Sequence, residues 1–462
     1  MQRKFFLTLW GILILIGLAA CDATGGEVAQ PTPAATAALP TDTPAPPSPE
    51  PPTPTPAIQA TATVAPPTLA PTATLAPDGG VIPHLGAGQP VTLTLIQMVD
   101  ATTGWAVGQS ASDLHDHVLR TSDGGATWRD VTPPQPIDPA ATLGHGATAV
   151  FLSADNSWLT YYNRMGAPPT APALMWSTHN AGQTWTVSQP LDISDAESYF
   201  PSDLVMLADE QAGWLLAHAG VGLSHDYVYV FATTDGGLTW ERVVDPFLEN
   251  LPTACGKTGM NFVDVQTGWV TGDCGGVVPG APYLQATTDG GQTWQAVELP
   301  APADTPDLFS ADNFNAACGT YWLQFTSATQ GAFVVKCNMV DASATQGWLY
   351  TTADAGQTWA IHALPATHSN SSRYFYTNAL QFLDPAQGWI LTDGDADGSQ
   401  LYQTQDGGQT WTLLKKLGWM GQLDFVDAQT GWAVARAGDA VALVSTTDGG
   451  AKWNEIKPQI AP

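Results

Sequence analysis

Carboxylates are the commonest reactive groups in this sequence, with 42 Asp and Glu against 14 Lys and Arg. Two carboxyls facing each other across a cleft can split a glycosidic bond, one protonating the leaving oxygen while the other activates water or attacks the sugar. Asp203, Asp245 and Asp307 fall in stretches that connect one repeat to the next and are available for such a role, although spacing alone does not pair them. No Ser-His-Asp signature stands out along the chain, and its Gly-Gly pairs read as turns, not as a phosphate-cradling loop. Asp393, Asp395 and Asp397 alternate along Asp393-Gly394-Asp395-Ala396-Asp397-Gly398 in the manner of a calcium loop. Leu401 and Thr404 stand where such a loop has further ligands, so a plain acidic turn is the competing reading. Asp113, His115, Asp116 and His117 form a second polar cluster, with donor types that could hold zinc or copper or only face water. No other cofactor is expected.

The cysteines carry a cleaner pattern. Cys255 and Cys274 are 19 residues apart, as are Cys318 and Cys337, and Phe262 and Phe325 each follow the first cysteine of their pair by seven. Equivalent positions in two repeats predict the bridges Cys255–Cys274 and Cys318–Cys337, each tying the ends of adjacent antiparallel strands. A four-thiol zinc site would instead need C-x2-C spacing within one unit, which is not present.

The elements that position these groups are repeated: the string Thr-x-Asp-x-Gly-x-Thr-Trp begins at Thr121, Thr178, Thr233, Thr287, Thr352, Thr404 and Thr446, with Asn180 in place of Asp in the second copy and Lys452 in place of Thr in the last. Its third position is Asp123, Asn180, Asp235, Asp289, Asp354, Asp406 and Asp448 in turn. Each such carboxylate or amide can accept N–H groups from the residues that follow, glycine supplies positive φ, and Thr-Trp then starts a strand. A second motif alternates with the first: Phe262-Val263-Asp264-Val265-Gln266-Thr267-Gly268-Trp269 recurs as Met98 to Trp105, Phe151 to Trp158, Leu207 to Trp214, Phe325 to Ala332, Phe382 to Trp389 and Phe425 to Trp432. Six tryptophans of this second motif and seven turn tryptophans make 13 of the 18 in the chain, a regularity that fits packing between repeats better than sugar stacking. Seven units of four short strands predict an all-β fold, a seven-bladed β-propeller with four-stranded antiparallel blades. No swapped strand closing the ring is obvious, and residues 81–92 are candidates to add one.

The repeated string resembles the Asp-box of bacterial sialidases, sortilin-type propellers, some endoglucanases and the photosystem II assembly and stability factors. The paired pattern, as in Phe425-Val426-Asp427-Ala428-Gln429-Thr430-Gly431-Trp432, is most similar to the last of these families. That resemblance implies a non-enzymatic scaffold that binds or helps assemble membrane proteins. A glycan-binding or glycoside-hydrolase-type Asp-box propeller is the alternative. The sequence has no Phe/Tyr-Arg-Ile-Pro string near its start, which sets sialidase chemistry aside. It also lacks the basic, arginine-rich patch of the assembly factors, its arginines being few and scattered. Loops joining one blade to the next and the middle strands of each blade are expected on one face, where Tyr161, Tyr162, Tyr199, Phe200, Phe309, Phe314, Tyr374, Phe375 and Tyr376 form a candidate binding face.

Residues 1–20 read as a secretory signal: Arg3 and Lys4 precede an apolar run that is too short to span a membrane stably. Leu18-Ala19-Ala20-Cys21 resembles the bacterial lipoprotein box, which implies lipidation at Cys21 and an extracytoplasmic chain anchored to the cell membrane. Residues 21–82 are rich in Pro, Thr and Ala and cannot bury a core, so a disordered stalk is expected there and the propeller over 83–462. A net charge of −28 argues against nucleic acid and anionic membrane surfaces as ligands. The expected partners are the membrane through its lipid and a protein of the envelope, with a glycan as the alternative.

Overall fold

In a computed structural model, the described residues are 80–222, 225–248, 250–274, 280–314, 316–339, 345–365, 380–393 and 398–462. Cys21 and the segment through residue 79 lie outside them. The described strands fall into seven consecutive four-stranded antiparallel groups. Their innermost strands are Thr92–Met98, His145–Phe151, Phe200–Met206, Gly256–Phe262, Ala316–Phe325, Leu380–Phe382 and Met420–Phe425. We call these groups blades 1 to 7 and their strands A to D from the inside outward. Blades 4 and 5 also touch edge to edge through a single bridge, Asp273 to Gly319.

The Asp-box turns follow from hydrogen bonding. In blade 4, Asp289 accepts from the Thr293 N–H at 2.9 Å and from its hydroxyl at 2.6 Å, and Thr287 Oγ1 donates to Asp289 at 2.8 Å. Gly290 and Gly291 take φ of 76° and 96°, conformations that cost a residue with a side chain. The same carboxylate pattern recurs at Asp123, Asp235, Asp354 and Asp406. At Asp448, Lys452 offers only its backbone N–H, and at Asn180 the amide donates to Thr184 instead.

The two motifs interlock between blades, which explains their alternation. Trp158, Trp214, Trp389 and Trp432, all on strand B, donate Nε1–H to the carbonyls of Gly236, Gly290, Gly449 and Gly124, the first Asp-box glycines of the next blade. Trp105 does the same to Ser153. Trp105, Trp214, Trp269 and Trp389 each stack on a phenylalanine of the following blade, with Trp214 and Phe262 centroids 3.8 Å apart and their planes within 1°. A Trp therefore fills the gap beneath the next turn and satisfies its carbonyl, which accounts for its repetition without any ligand.

Side chains of the inner strands make a second set of ties. Gln324 bonds the Phe382 N–H and the Leu380 carbonyl, Gln381 bonds both backbone groups of Phe425, and Gln422 bonds both of Ile96. Strand Gln459–Ile460 closes the ring by pairing in parallel with Thr127–Asp130 at the outer edge of blade 1. The closing strand is thus C-terminal, while Pro90 and Val91 run beside it. Both expected disulfides are present: Cys318 and Cys337 are direct cross-strand partners, and Cys255–Cys274 joins the same ends in blade 4.

Candidate functional site

A cleft of about 570 Å³ opens along the inner strands of blades 1, 2 and 3, within the usual size for small-ligand sites. Asp116, Tyr162, Arg164, Phe200, Ser202 and Asp203 line it. Asp116 immediately precedes strand His117–Thr121 of blade 1, Tyr162 and Arg164 come from the end of strand Asn156–Asn163 of blade 2, and the other three come from strand A of blade 3. Three separate blades therefore build one surface. Tyr162 and Phe200 meet edge to face, with centroids 4.7 Å apart, and give the cleft an aromatic rim.

Two carboxyls in this cleft have unequal surroundings. Asp116 is buried, and burial pushes its pKa up, but Arg164 Nη2 lies 2.6 Å from Oδ1 and opposes the shift. Gln109 Nε2 donates to Oδ1 at 3.0 Å and the Ala147 N–H to Oδ2 at 2.9 Å, so this carboxyl also pins blade 1 to blade 2. Asp203 keeps part of its surface open to the cleft. The protein around it still strips water from the carboxyl and raises its pKa, against a hydrogen bond from Ser202, the nearby His218 and the backbone N–H of Met260 in blade 4. Of the two, only Asp116 has a cation in direct contact.

Ser202, His218 and Asp226 form a hydrogen-bonded chain behind Asp203. His218 Nε2 is 3.2 Å from Ser202 Oγ, and His218 Nδ1 is 2.8 Å from Asp226 Oδ1. The order is that of a serine-nucleophile triad, but the Ser202 hydroxyl also reaches the Asp203 carboxyl. With its proton directed to that carboxyl, the hydroxyl is not set to give it to His218 as a nucleophile would. The chain serves better to orient Asp203. These three residues lie on strands whose pairing brings them together, so no short motif announces them.

The candidate binding face is only partly assembled. Tyr162 and Phe200 line the cleft, and Phe314 is 73% exposed. Tyr161 and Tyr199, by contrast, are 4% and 0% exposed and belong to the core between blades. Tyr161 precedes Tyr162 on one strand and so points to the opposite face, and Tyr199 turns inward to place its hydroxyl 3.2 Å from Thr160 Oγ1. Phe309 packs against the core shared by blades 4 and 5. Tyr374, Phe375 and Tyr376 lie outside the described residues. The expected calcium loop is only partly within them: Asp393 ends a strand of blade 6, and Asp395 and Asp397 are not among the described residues.

The histidines of the blade 1 cluster part company. His117 sits between Asp130, at 2.8 Å, and Asp113, at 3.3 Å. His115 turns to His145, with their Nδ1 atoms 3.0 Å apart, and burial pushes the His145 pKa down to about 4. Among the described residues no three His, Cys, Asp or Glu side chains converge as metal ligands. Of the three loop carboxylates, Asp203 lies on strand A and not in a loop, Asp245 pairs with Arg242 at 3.0 Å, and Asp307 does not line the cleft.

No family model matches the chain. A xyloglucanase from a Paenibacillus species is 30% identical over 148 residues, 32% of this chain and 13% of that enzyme. The xyloglucanase Xgh74A of Acetivibrio thermocellus is 24% identical over 143 residues, 29% of this chain and 15% of the enzyme. This chain thus spans under a sixth of the length of these curated relatives. The solved structure of YCF48 bound to D1 peptide covers 81% of this chain and 96% of its own at 16% identity, with a TM-score of 0.47, a likeness too low to bear on function. The xyloglucanase relatives overturn the expectation of a non-enzymatic assembly scaffold, because the sequences that match carry the name of a glycan-cleaving enzyme. The assembly-factor resemblance rested on turn and packing motifs, and those are occupied here in holding blade to blade. Consecutive four-stranded antiparallel units tied to one another beneath their Asp-boxes show a β-propeller, and the sequence relatives carry the names of xyloglucanases.

Proposed function

We propose that this chain is a glycan-directed enzyme of glycoside-hydrolase type, working in the cleft of blades 1 to 3. The observation that carries this reading is the pair of carboxyls, Asp116 and Asp203, lining one aromatic-rimmed cleft in unequal electrostatic settings. Burial pushes both pKa values up, but only Asp116 has a guanidinium against it, which favours its ionised form over that of Asp203. Asp203 is the acid: it is open to the cleft, raised by desolvation, and free of a cationic partner in direct contact. It would protonate the glycosidic oxygen as the bond to the sugar breaks, and water would add to the freed sugar carbon, its proton restoring the acid. Asp116, held by Arg164, is the carboxylate that faces the developing positive charge of the sugar ring. Tyr162 and Phe200 offer apolar surface for a sugar face, and the chain from Asp226 through His218 to Ser202 fixes the acid's orientation.

The xyloglucanase relatives make β-glucans with xylose branches the first substrates to try. Reducing ends released from xyloglucan and plain β-glucans would be measured with the native chain, Asp203→Asn and Asp116→Asn. Loss of roughly a hundredfold or more in Asp203→Asn, with its fold unchanged, supports the reading. Full activity in that variant, or no release from any glycan by the native chain, rejects it. Lipidation at Cys21 and the Pro-rich segment would hold the enzyme outside the cell membrane, within reach of polymers too large to import. Incorporation of labelled fatty acid that persists in Cys21→Ser would rule out that anchor.

A further inference from the structure

Six of the seven strand-B motifs end in Trp, and blade 5 has Ala332 in that place. Elsewhere the indole passes beneath the next blade's Asp-box, stacks on that blade's inner phenylalanine in four cases, and in four donates its N–H to the first glycine carbonyl of the turn. The corresponding partners of Ala332 are Phe382 and Gly407 of blade 6. A cavity of about 320 Å³ lies there, lined by Ala332, Phe382 and Gly407 together with Gln330, His362 and Asp406. Phe382 meets its own Asp-box residue, Trp411, edge to face, as Phe262 meets Trp294 and Phe425 meets Trp453. Those other two phenylalanines carry a stacked indole as well, from Trp214 and Trp389. Gln330 contributes a second sign of an unfilled place: its Oε1 is buried and has no hydrogen-bond partner. Buried acceptors are normally satisfied, so this one invites a donor.

We propose that the cavity between blades 5 and 6 binds a planar aromatic ring with an N–H on its edge, an indole, which takes the place that Trp fills in the other blades. The ring stacks on Phe382 and its N–H points to the Gly407 carbonyl. The site is separate from the cleft of blades 1 to 3 and does not depend on the reaction there. Its ligand is either a free indole compound or the Trp side chain of a peptide.

Binding of indole, 1-methylindole and a short Trp-containing peptide to the full chain would be measured by ligand-detected NMR, alongside Ala332→Trp. Indole is expected to bind the native chain and not Ala332→Trp, whose own side chain fills the slot and raises the melting temperature. Capping the N–H in 1-methylindole should weaken binding roughly two- to tenfold. Tighter binding of the peptide than of indole identifies a peptide ligand, and exclusion of the peptide identifies a small molecule. If Ala332→Trp does not fold, Ala332→Leu serves as the smaller plug, and a crystal soaked in indole reads the slot directly. Equal indole binding in native and plugged chains, no binding by the native chain at millimolar indole, or ring density elsewhere overturns the proposal.

Discussion

Removing one inter-blade tryptophan should cost a large part of the stability of the whole ring, and Trp389 is the place to test it. Its side chain is fully buried, stacks on Phe425 at 3.9 Å with planes within 4°, and donates to the Gly449 carbonyl at 3.1 Å. Trp389→Ala removes a core aromatic, a change that costs about 3–5 kcal/mol, a sum that includes part of the penalty of leaving the Gly449 carbonyl without its donor. Trp389→Phe keeps a ring to stack on Phe425 but loses the N–H, so its cost should be smaller, about 1–3 kcal/mol. Because the ring is closed, an interface lost between blades 6 and 7 is not a local fraying of one end. Against a total of about 5–15 kcal/mol for a domain, the alanine variant should shift the unfolding midpoint strongly. Urea unfolding followed by Trp fluorescence and by circular dichroism gives both numbers, and coincidence of the two probes tests that the ring unfolds as a unit. If Trp389→Ala and Trp389→Phe both lie within about 0.5 kcal/mol of the native chain, a threshold typical of surface changes, the interlock is not what holds the blades.

Burial pushes the Asp424 pKa up to about 7, against the Met98 N–H that donates to it at 2.5 Å. The folded state therefore binds a proton that the unfolded chain has released, and stability falls as pH rises between about 4 and 7, by on the order of 4 kcal/mol at most. Asp424→Asn should flatten that slope and raise the melting temperature at pH 8; a steep slope that survives the substitution argues against this assignment. In blade 4 partial burial works against ionisation of Asp289, but hydrogen bonds from Thr293 and Thr287 hold its pKa below the usual range. Asp289→Ala should cost about 1–2 kcal/mol at neutral pH, and the difference from the native chain should shrink as pH falls through the carboxylate range. An equal deficit at pH 2 and pH 7 would mean the turn does not depend on the charge.

Local and periodic features were the legible ones. The Asp-box turn is a short-range hydrogen-bond pattern, so its copies disclosed a propeller of four-stranded antiparallel units, and the matched registers of Cys255–Cys274 and Cys318–Cys337 disclosed both bridges. The tryptophans read correctly as packing, although their partner across the blade boundary, the first glycine carbonyl of the next Asp-box, appears only when blades are set side by side. The cleft was harder to see for the same reason. Asp116 and Arg164 come from different blades, and Ser202, His218 and Asp226 from three neighbouring strands, so no motif links them. Asp203 could be named as an available acid but not paired. Tyr161 and Tyr199 show the limit of counting aromatics near loops, since strand alternation buries one tyrosine of an adjacent pair while leaving Tyr162 at the cleft. The scaffold expectation failed because turn chemistry and blade packing are common to propellers of many functions, whereas function is set by side chains brought together from several blades.

Everything proposed for the cleft turns on Asp203 as its proton donor. Incubation of the native chain and Asp203→Asn with a xyloglucan oligosaccharide, read by mass spectrometry of the products together with binding of the intact oligosaccharide, tests it most directly. The native chain should cleave it, and Asp203→Asn should bind it with similar affinity while cleaving it at least a hundredfold more slowly, the contribution expected of a positioned acid. Equal cleavage by both proteins, or binding without cleavage by the native chain, would contradict that role.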